Sequence, residues 1–218
     1  MPLRAVIFDM DGVLIDSEIG YNQADAAWFA ELGLPFGKRE IDGITGSSGP
    51  VIARRMREWF PHLPYTEEQL SDMYLDGIFR SLQKDVHALI EGVEEWLRRM
   101  QRLELSLVIG SSSPRCMVSH VVEKFALDRY FSQCITGEDT ERGKPWPDIF
   151  LLAADHLGIP PEDCLVIEDS RNGIEAARAA GMKVFAFTGT NRHNLDLSGA
   201  DASFAAFTPR NFALVETL

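Results

Sequence analysis

The chain has 218 residues, 45% hydrophobic and 25% charged, as in one soluble globular domain or one domain carrying an insertion. Lys and Arg total 21 against 33 Asp and Glu, a formal charge of -12 that disfavours nucleic acid and anionic membranes as partners. A phosphate ligand stays open, since one local cation and a metal outweigh a global field.

No run of about 18 apolar residues exists, and the chain enters a strand without an apolar leader, so no membrane segment is expected. Cys116, Cys134 and Cys164 lack metal-ligand spacing, and we expect reduced core thiols in a cytoplasmic protein.

Ala5 to Phe8 is an apolar run without alternation, the pattern of a buried strand, and it leads into Asp9-Met10-Asp11-Gly12. Residues i and i+2 of extended chain point the same way, so Asp9 and Asp11 present two carboxylates to one spot. Gly12 lets the backbone turn. Like charges so close raise each other's pKa unless a proton or cation intervenes. Two readings follow: the aspartates cap a turn, or they form a divalent-metal site in which one is a nucleophile.

Residues 17–85 read as helical throughout. Tyr21, Ala24, Trp28 and Leu32 recur at helical spacing, with Gly33 as a stop. A glycine-rich patch follows, Gly43 to Pro50, and then Ile52, Met56 and Trp59 or Phe60 mark a second helix. Thr66-Glu67-Glu68-Gln69 has the form of a capping box opening a third, towards Leu82.

From Leu89 onwards helix and strand alternate. The strands are Leu105 to Ile109, Ser132 to Thr136, Cys164 to Ile167 and Val184 to Phe187, with apolar stripes at helical spacing between them. Such alternation implies a parallel sheet covered on both faces. The expected fold class is α/β: a doubly wound, Rossmann-like parallel-sheet core, residues 1–16 and 86–218, with an inserted α-helical cap, residues 17–85.

Ligands of such sheets bind beyond the carboxyl ends of the strands. Polar residues stand at that end of four strands: Asp9 and Asp11; Ser111 and Ser112; Lys144; Glu168 and Asp169. Ser113-Pro114 reads as an N-cap followed by proline at the first helical position, which makes an anion site beside Ser111 or a simple cap. Lys144, fixed between Gly143 and Pro145, is otherwise a solvated lysine. Glu168-Asp169 fits either a helix cap or a hard cation such as magnesium.

Taken in order and spacing, Asp9-Met10-Asp11-Gly12-Val13, Ser111 after Gly110, Gly143-Lys144-Pro145 and Glu168-Asp169-Ser170-Arg171-Asn172-Gly173 resemble four motifs of one family. It is the haloacid-dehalogenase-like (HAD) phosphohydrolases, and within them the β-phosphoglucomutase-like group, whose helical cap sits between the first and second motifs. The resemblance implies that Asp9 is the nucleophile and Asp11 the acid–base. It implies that Ser111, Ser112 and Lys144 hold the phosphoryl group. Magnesium would be held by Asp9, the main-chain carbonyl of Asp11 and Asp169, with Glu168 ligating or acting through water.

Two departures bear on the substrate. Family members usually open the cap with Asp-Ser-Glu-Pro-Leu-His; here it is Asp16-Ser17-Glu18-Ile19-Gly20-Tyr21, so Tyr21 replaces the histidine that the mutases use. The mutases also carry an arginine three residues after a cap glycine, and with Gly46 as that glycine the position is Gly49. The expected function is therefore a magnesium-dependent phosphatase, a monomer acting on a small-molecule phosphate monoester, a sugar phosphate. A β-phosphoglucomutase-type mutase is the enzymatic alternative, and a receiver-like phospho-acceptor signalling domain the non-enzymatic one.

Overall fold

The computed structural model describes residues 3–44, 47–86, 88–191 and 196–218. The chain divides into two compact units, Ser17–His87 and Met1–Asp16 with Ala88–Leu218.

Among the described residues the first unit is helical: α1 (Glu18–Glu31), α2 (Lys38–Ile44), α3 (Gly49–Trp59) and α4 (Glu67–Asp85). The capping box of α4 is present. Thr66 Oγ1 accepts the Gln69 N–H at 3.2 Å, and Gln69 Oε1 accepts the Thr66 N–H at 3.0 Å. Trp28, Phe29, Ile52, Met56 and Leu70 form the shared core. Two helices take up the ends of the glycine-rich patch; Thr45 and Gly46 lie outside the described residues. Gly49 is buried, and a β-carbon there would stand 3.0 Å from Ser71 Oγ and the Leu75 side chain on α4.

The second unit holds a six-stranded sheet, β1 (Ala5–Phe8), β2 (Ser106–Gly110), β3 (Gln133–Ile135), β4 (Cys164–Glu168), β5 (Lys183–Phe187) and β6 (Ala202–Phe204). The order is β3-β2-β1-β4-β5-β6, and every pairing is parallel. Val6 stands between Leu107 and Leu165, and β1 has no exposed surface. That burial on both faces is why the strand reads as a continuous apolar run. Strand order reverses between β1 and β4, which sets the ligand crevice at their carboxyl ends.

Helices α5 (Val93–Arg102), α6 (Arg115–Lys124), α7 (Asp148–Leu157), α8 (Arg171–Ala179) and α9 (Pro209–Glu216) complete this unit. Phe150 of α7 and Ile174 and Ala177 of α8 pack with Val108 and Val166 of the sheet. Beyond Phe187 the sequence gives weak signals, yet the chain adds β6 and α9 there. They gather Phe204, Phe207 and Phe212 around Trp96, with ring centroids 4.8, 4.9 and 5.2 Å away. The Trp96 indole N–H donates to the Thr208 carbonyl at 3.0 Å.

The α/β parallel sheet with a helical insertion is the fold expected from the sequence. The thiols differ from expectation: Cys164 is buried and Cys134 half-buried, but Cys116 is exposed on α6. Among the described residues no helix is long and apolar enough to cross a membrane.

Candidate active site

The strand β1 ends at Phe8, and Asp9 opens a tight loop rather than more strand. The Asp9 N–H still donates to the Ile167 carbonyl at 3.0 Å, then Leu14 N–H to Met10 O and Gly12 N–H to Ile15 O close the turn. Gly12 has φ +77°, and a β-carbon on it would lie 1.9 Å from Asp169 Oδ2. Only glycine lets the Asp169 carboxyl rest against this loop. From the segment after β5, buried Thr190 donates its hydroxyl to the Gly12 carbonyl at 2.7 Å. Sequence reasoning missed Thr190, whose only signal is a Gly189-Thr190 pair beyond a strand.

Lys144 reaches into the same place. Its ammonium lies 2.6 Å from Asp9 Oδ1, 2.7 Å from Glu168 Oε1 and 3.1 Å from the Gly110 carbonyl. An ammonium has three protons, and these acceptors match them. With only 9% of its surface exposed, Lys144 is not a solvated lysine.

Burial pushes Asp9 up to about 8 against the pull of Lys144, with the Glu168 and Asp11 charges adding to the rise. Burial, then Glu168 and Asp9, lifts Asp169 well above the usual carboxylate range. Burial by itself would lower Lys144, but Asp9 and Glu168 outweigh it and hold the ammonium protonated.

Glu168 is committed on both oxygens. Oε1 faces Lys144, while Oε2 accepts the Asp169 N–H, the Ser170 N–H and the Ser170 hydroxyl at 2.8, 2.7 and 2.9 Å. The cap of α8 is Ser170, whose Oγ accepts the Gly173 N–H at 3.0 Å; it is not the acidic pair.

Ser111 is buried, and its N–H donates to the Ile135 carbonyl at 3.0 Å. Its Oγ accepts the Ser113 N–H at 3.1 Å, an interaction that does not use its own hydroxyl proton. Ser112 is half-buried in the turn between them. The expected serine cap of α6 is not formed. Pro114 is the N-cap, and Ser113 Oγ lies 2.7 Å from Asp11 Oδ2 instead.

The sequence-derived candidates thus converge on the ends of β1, β2 and β4. Among the described residues no three His, Cys, Asp or Glu side chains surround a common metal position. The donor set that fits magnesium is mixed: the Asp9 and Asp169 carboxyls beside the main chain of Asp11-Gly12, all oxygen, with water completing the shell. Buried acids whose ionisation is disfavoured are groups that a divalent cation would ionise. The Gly12 cradle keeps one of them against the loop.

Comparison with known proteins gives the family. The family described as haloacid dehalogenase-like hydrolase matches residues 3–181. The chain is 31% identical over 184 residues to the phosphorylated carbohydrates phosphatase of Thermotoga maritima, covering 83% of each. It is 32% identical over 183 residues to hexitol phosphatase B of Escherichia coli, covering 83% of this chain and 82% of that one.

Similar solved structures include a β-phosphoglucomutase from Clostridium difficile, with a TM-score of 0.85 at 20% identity over 99% of this chain and 96% of that one. CbbY from Rhodobacter sphaeroides, solved in complex with phosphate, gives 0.80 at 24% over 95% and 96%. At such identities the likeness is one of fold. The family match, running from β1 through α8, leaves no place for a receiver-like domain: the chain is a hydrolase that belongs to the haloacid dehalogenase-like family.

Proposed function

We propose that the protein is a magnesium-dependent phosphatase of small phosphorylated metabolites, acting through a phosphoaspartate. The observation that carries this reading is the buried cluster in which Lys144 bridges Asp9 and Glu168, while Asp11 is tied through Ser113 to Ser111. A nucleophile, an acid, a cation and a hydroxyl donor meet there, the parts phosphoryl transfer needs.

In the first step an Asp9 carboxylate oxygen forms a bond to phosphorus as the ester P–O bond breaks. The leaving oxygen takes the Asp11 proton and departs as the alcohol. In the second step water attacks phosphorus, Asp11 receives its proton, and the Asp9–phosphorus bond breaks to release inorganic phosphate. Both aspartates end as they began. Lys144 and Ser111 stabilise charge on the phosphoryl oxygens throughout. Asp9, Asp169 and the Asp11 carbonyl would hold magnesium, which would supply further positive charge at the site.

The relatives named for phosphorylated carbohydrates and hexitol phosphates support a sugar or sugar-alcohol phosphate as substrate. Gly49 supports hydrolysis over mutase chemistry. Glycine carries no guanidinium to clamp the second phosphate that a mutase holds, and a β-carbon there would already meet Ser71 Oγ and Leu75 at 3.0 Å, tighter than an ordinary contact.

The test is phosphate release from a panel of sugar and sugar-alcohol phosphates with magnesium, with and without excess chelator. Chelation should abolish turnover. Asp9→Asn should cut it by about three orders of magnitude or more while the fold survives, because an amide cannot attack phosphorus. Normal turnover in that variant, or conversion of β-glucose 1-phosphate to glucose 6-phosphate with little free phosphate, would overturn the proposal.

A further inference from the structure

Ser113 follows the phosphate-holding serine by two residues, and the catalytic scheme gives it no role. Its three polar groups nevertheless tie its own turn together and reach two other segments. The hydroxyl lies 2.7 Å from Oδ2 of Asp11, 102 residues away in sequence. The N–H donates to Ser111 Oγ at 3.1 Å, and the carbonyl accepts the Gly137 N–H at 3.3 Å.

The support behind it is built. Arg115 pairs with Asp139, and Asp139 Oδ2 accepts the Thr136 N–H and hydroxyl at 2.8 and 2.7 Å. Glu138 Oε1 accepts the Arg115 N–H at 3.2 Å, at the start of α6. These contacts join the turn after β3 to the turn after β2 just beyond Ser113, and the Ser111 N–H to Ile135 carbonyl bond joins the same segments just before it.

The geometry points to Ser113 as a positioning residue for the acid–base work of Asp11, an inference that rests on the phosphatase reading. Asp11 must give a proton to the leaving oxygen and later take one from water. A carboxyl free to rotate presents that proton in many directions, and misplacement of about an ångström at a reacting group costs on the order of a hundredfold. A hydroxyl suits both protonation states: it donates to the carboxylate and accepts from the carboxylic acid. Ser113 therefore anchors one oxygen through the whole cycle, and the other exchanges the proton. The same residue braces Ser111, so the acid and the phosphate donor move as one piece.

A serine that merely completes the turn would behave differently. Its loss would loosen Ser111 and slow every phosphate ester alike. A positioning role for the acid shows instead in the leaving group. A sugar phosphate releases an alkoxide that needs the proton, whereas p-nitrophenyl phosphate releases a phenolate stable without it.

The experiment compares kcat/KM for both esters in the full-length protein and its Ser113 variants. Ser113→Ala should lose about tenfold or more on the sugar phosphate beyond its loss on p-nitrophenyl phosphate. Ser113→Thr, which keeps the hydroxyl, should recover most of the sugar-phosphate rate. Ser113→Cys, of similar size but a weak donor, gives the same reading if the alanine variant fails to fold. Equal losses on both esters, with an active parent protein, overturn the role of Ser113 alone. A parent inert on both esters overturns the phosphatase reading and this inference with it.

Discussion

Oε1 of Glu168 lies 2.7 Å from the Lys144 ammonium, with both side chains almost wholly inside the protein. The other Glu168 oxygen is taken by the turn that opens α8. The carboxylate is therefore a support for the lysine, and it fixes that lysine beside Asp9.

Glu168→Gln keeps the shape and removes the charge. A hydrogen bond to a charged group contributes about 1.5–3 kcal/mol, so turnover should fall about ten- to a hundredfold. The magnesium needed for half-maximal rate should change little, whereas Asp169→Asn should raise it strongly. An equal rise in both variants would make Glu168 a ligand instead.

Asp25 on α1 is a buried carboxyl whose Oδ1 has no hydrogen-bond partner among the described residues. Burial pushes it up to about 7, opposed by a hydrogen bond from Tyr74. The folded form thus holds a proton that the unfolded chain, near 3.8, releases earlier. Between about pH 4 and 7 the folded state binds more protons, so stability falls as pH rises through that window and levels off above it. The effect is a few kcal/mol at most. In urea unfolding from pH 4 to 8, Asp25→Asn should show a flatter profile than the parent. Parallel profiles would remove Asp25 as the cause.

Trp96 packs against Phe204, Phe207 and Phe212 and donates its indole N–H to Thr208. Trp96→Ala should cost about 3–5 kcal/mol, read as a lower urea midpoint. Trp96→Phe should cost less, since it keeps most of the ring contact and loses only the hydrogen bond.

The sheet was legible because its strands are short apolar runs buried on both faces, as at Ala5 to Phe8. Helix α2 was not, with seven residues, a glycine and few apolar positions. Strand β6 escaped for a related reason: three residues at the sheet edge, with Ser203 exposed, carry little pattern. The motif residues gave the location of the site, but the partnerships within it are set across the fold. Asp9 and Asp11 were paired by strand alternation, although the strand stops at Phe8. Glu168 and Asp169 read as one acidic pair, yet successive residues at a strand end point apart and do separate jobs. Ser113 read as a cap because local sequence cannot report a partner 102 residues away.

The central place of β1 also bears on how the protein is made. Its four fully buried residues are synthesised before the other five strands, and one flanking strand begins at Ser106 and the other only at Cys164. About 155 residues, roughly 8–30 s of synthesis, separate β1 from its second neighbour. An apolar segment that waits so long for both partners is a natural chaperone client. The helical insertion, whose residues are all synthesised before β2, has no such wait. Nascent chains arrested before Cys164 should therefore be cut by protease near β1, whereas completed chains should resist.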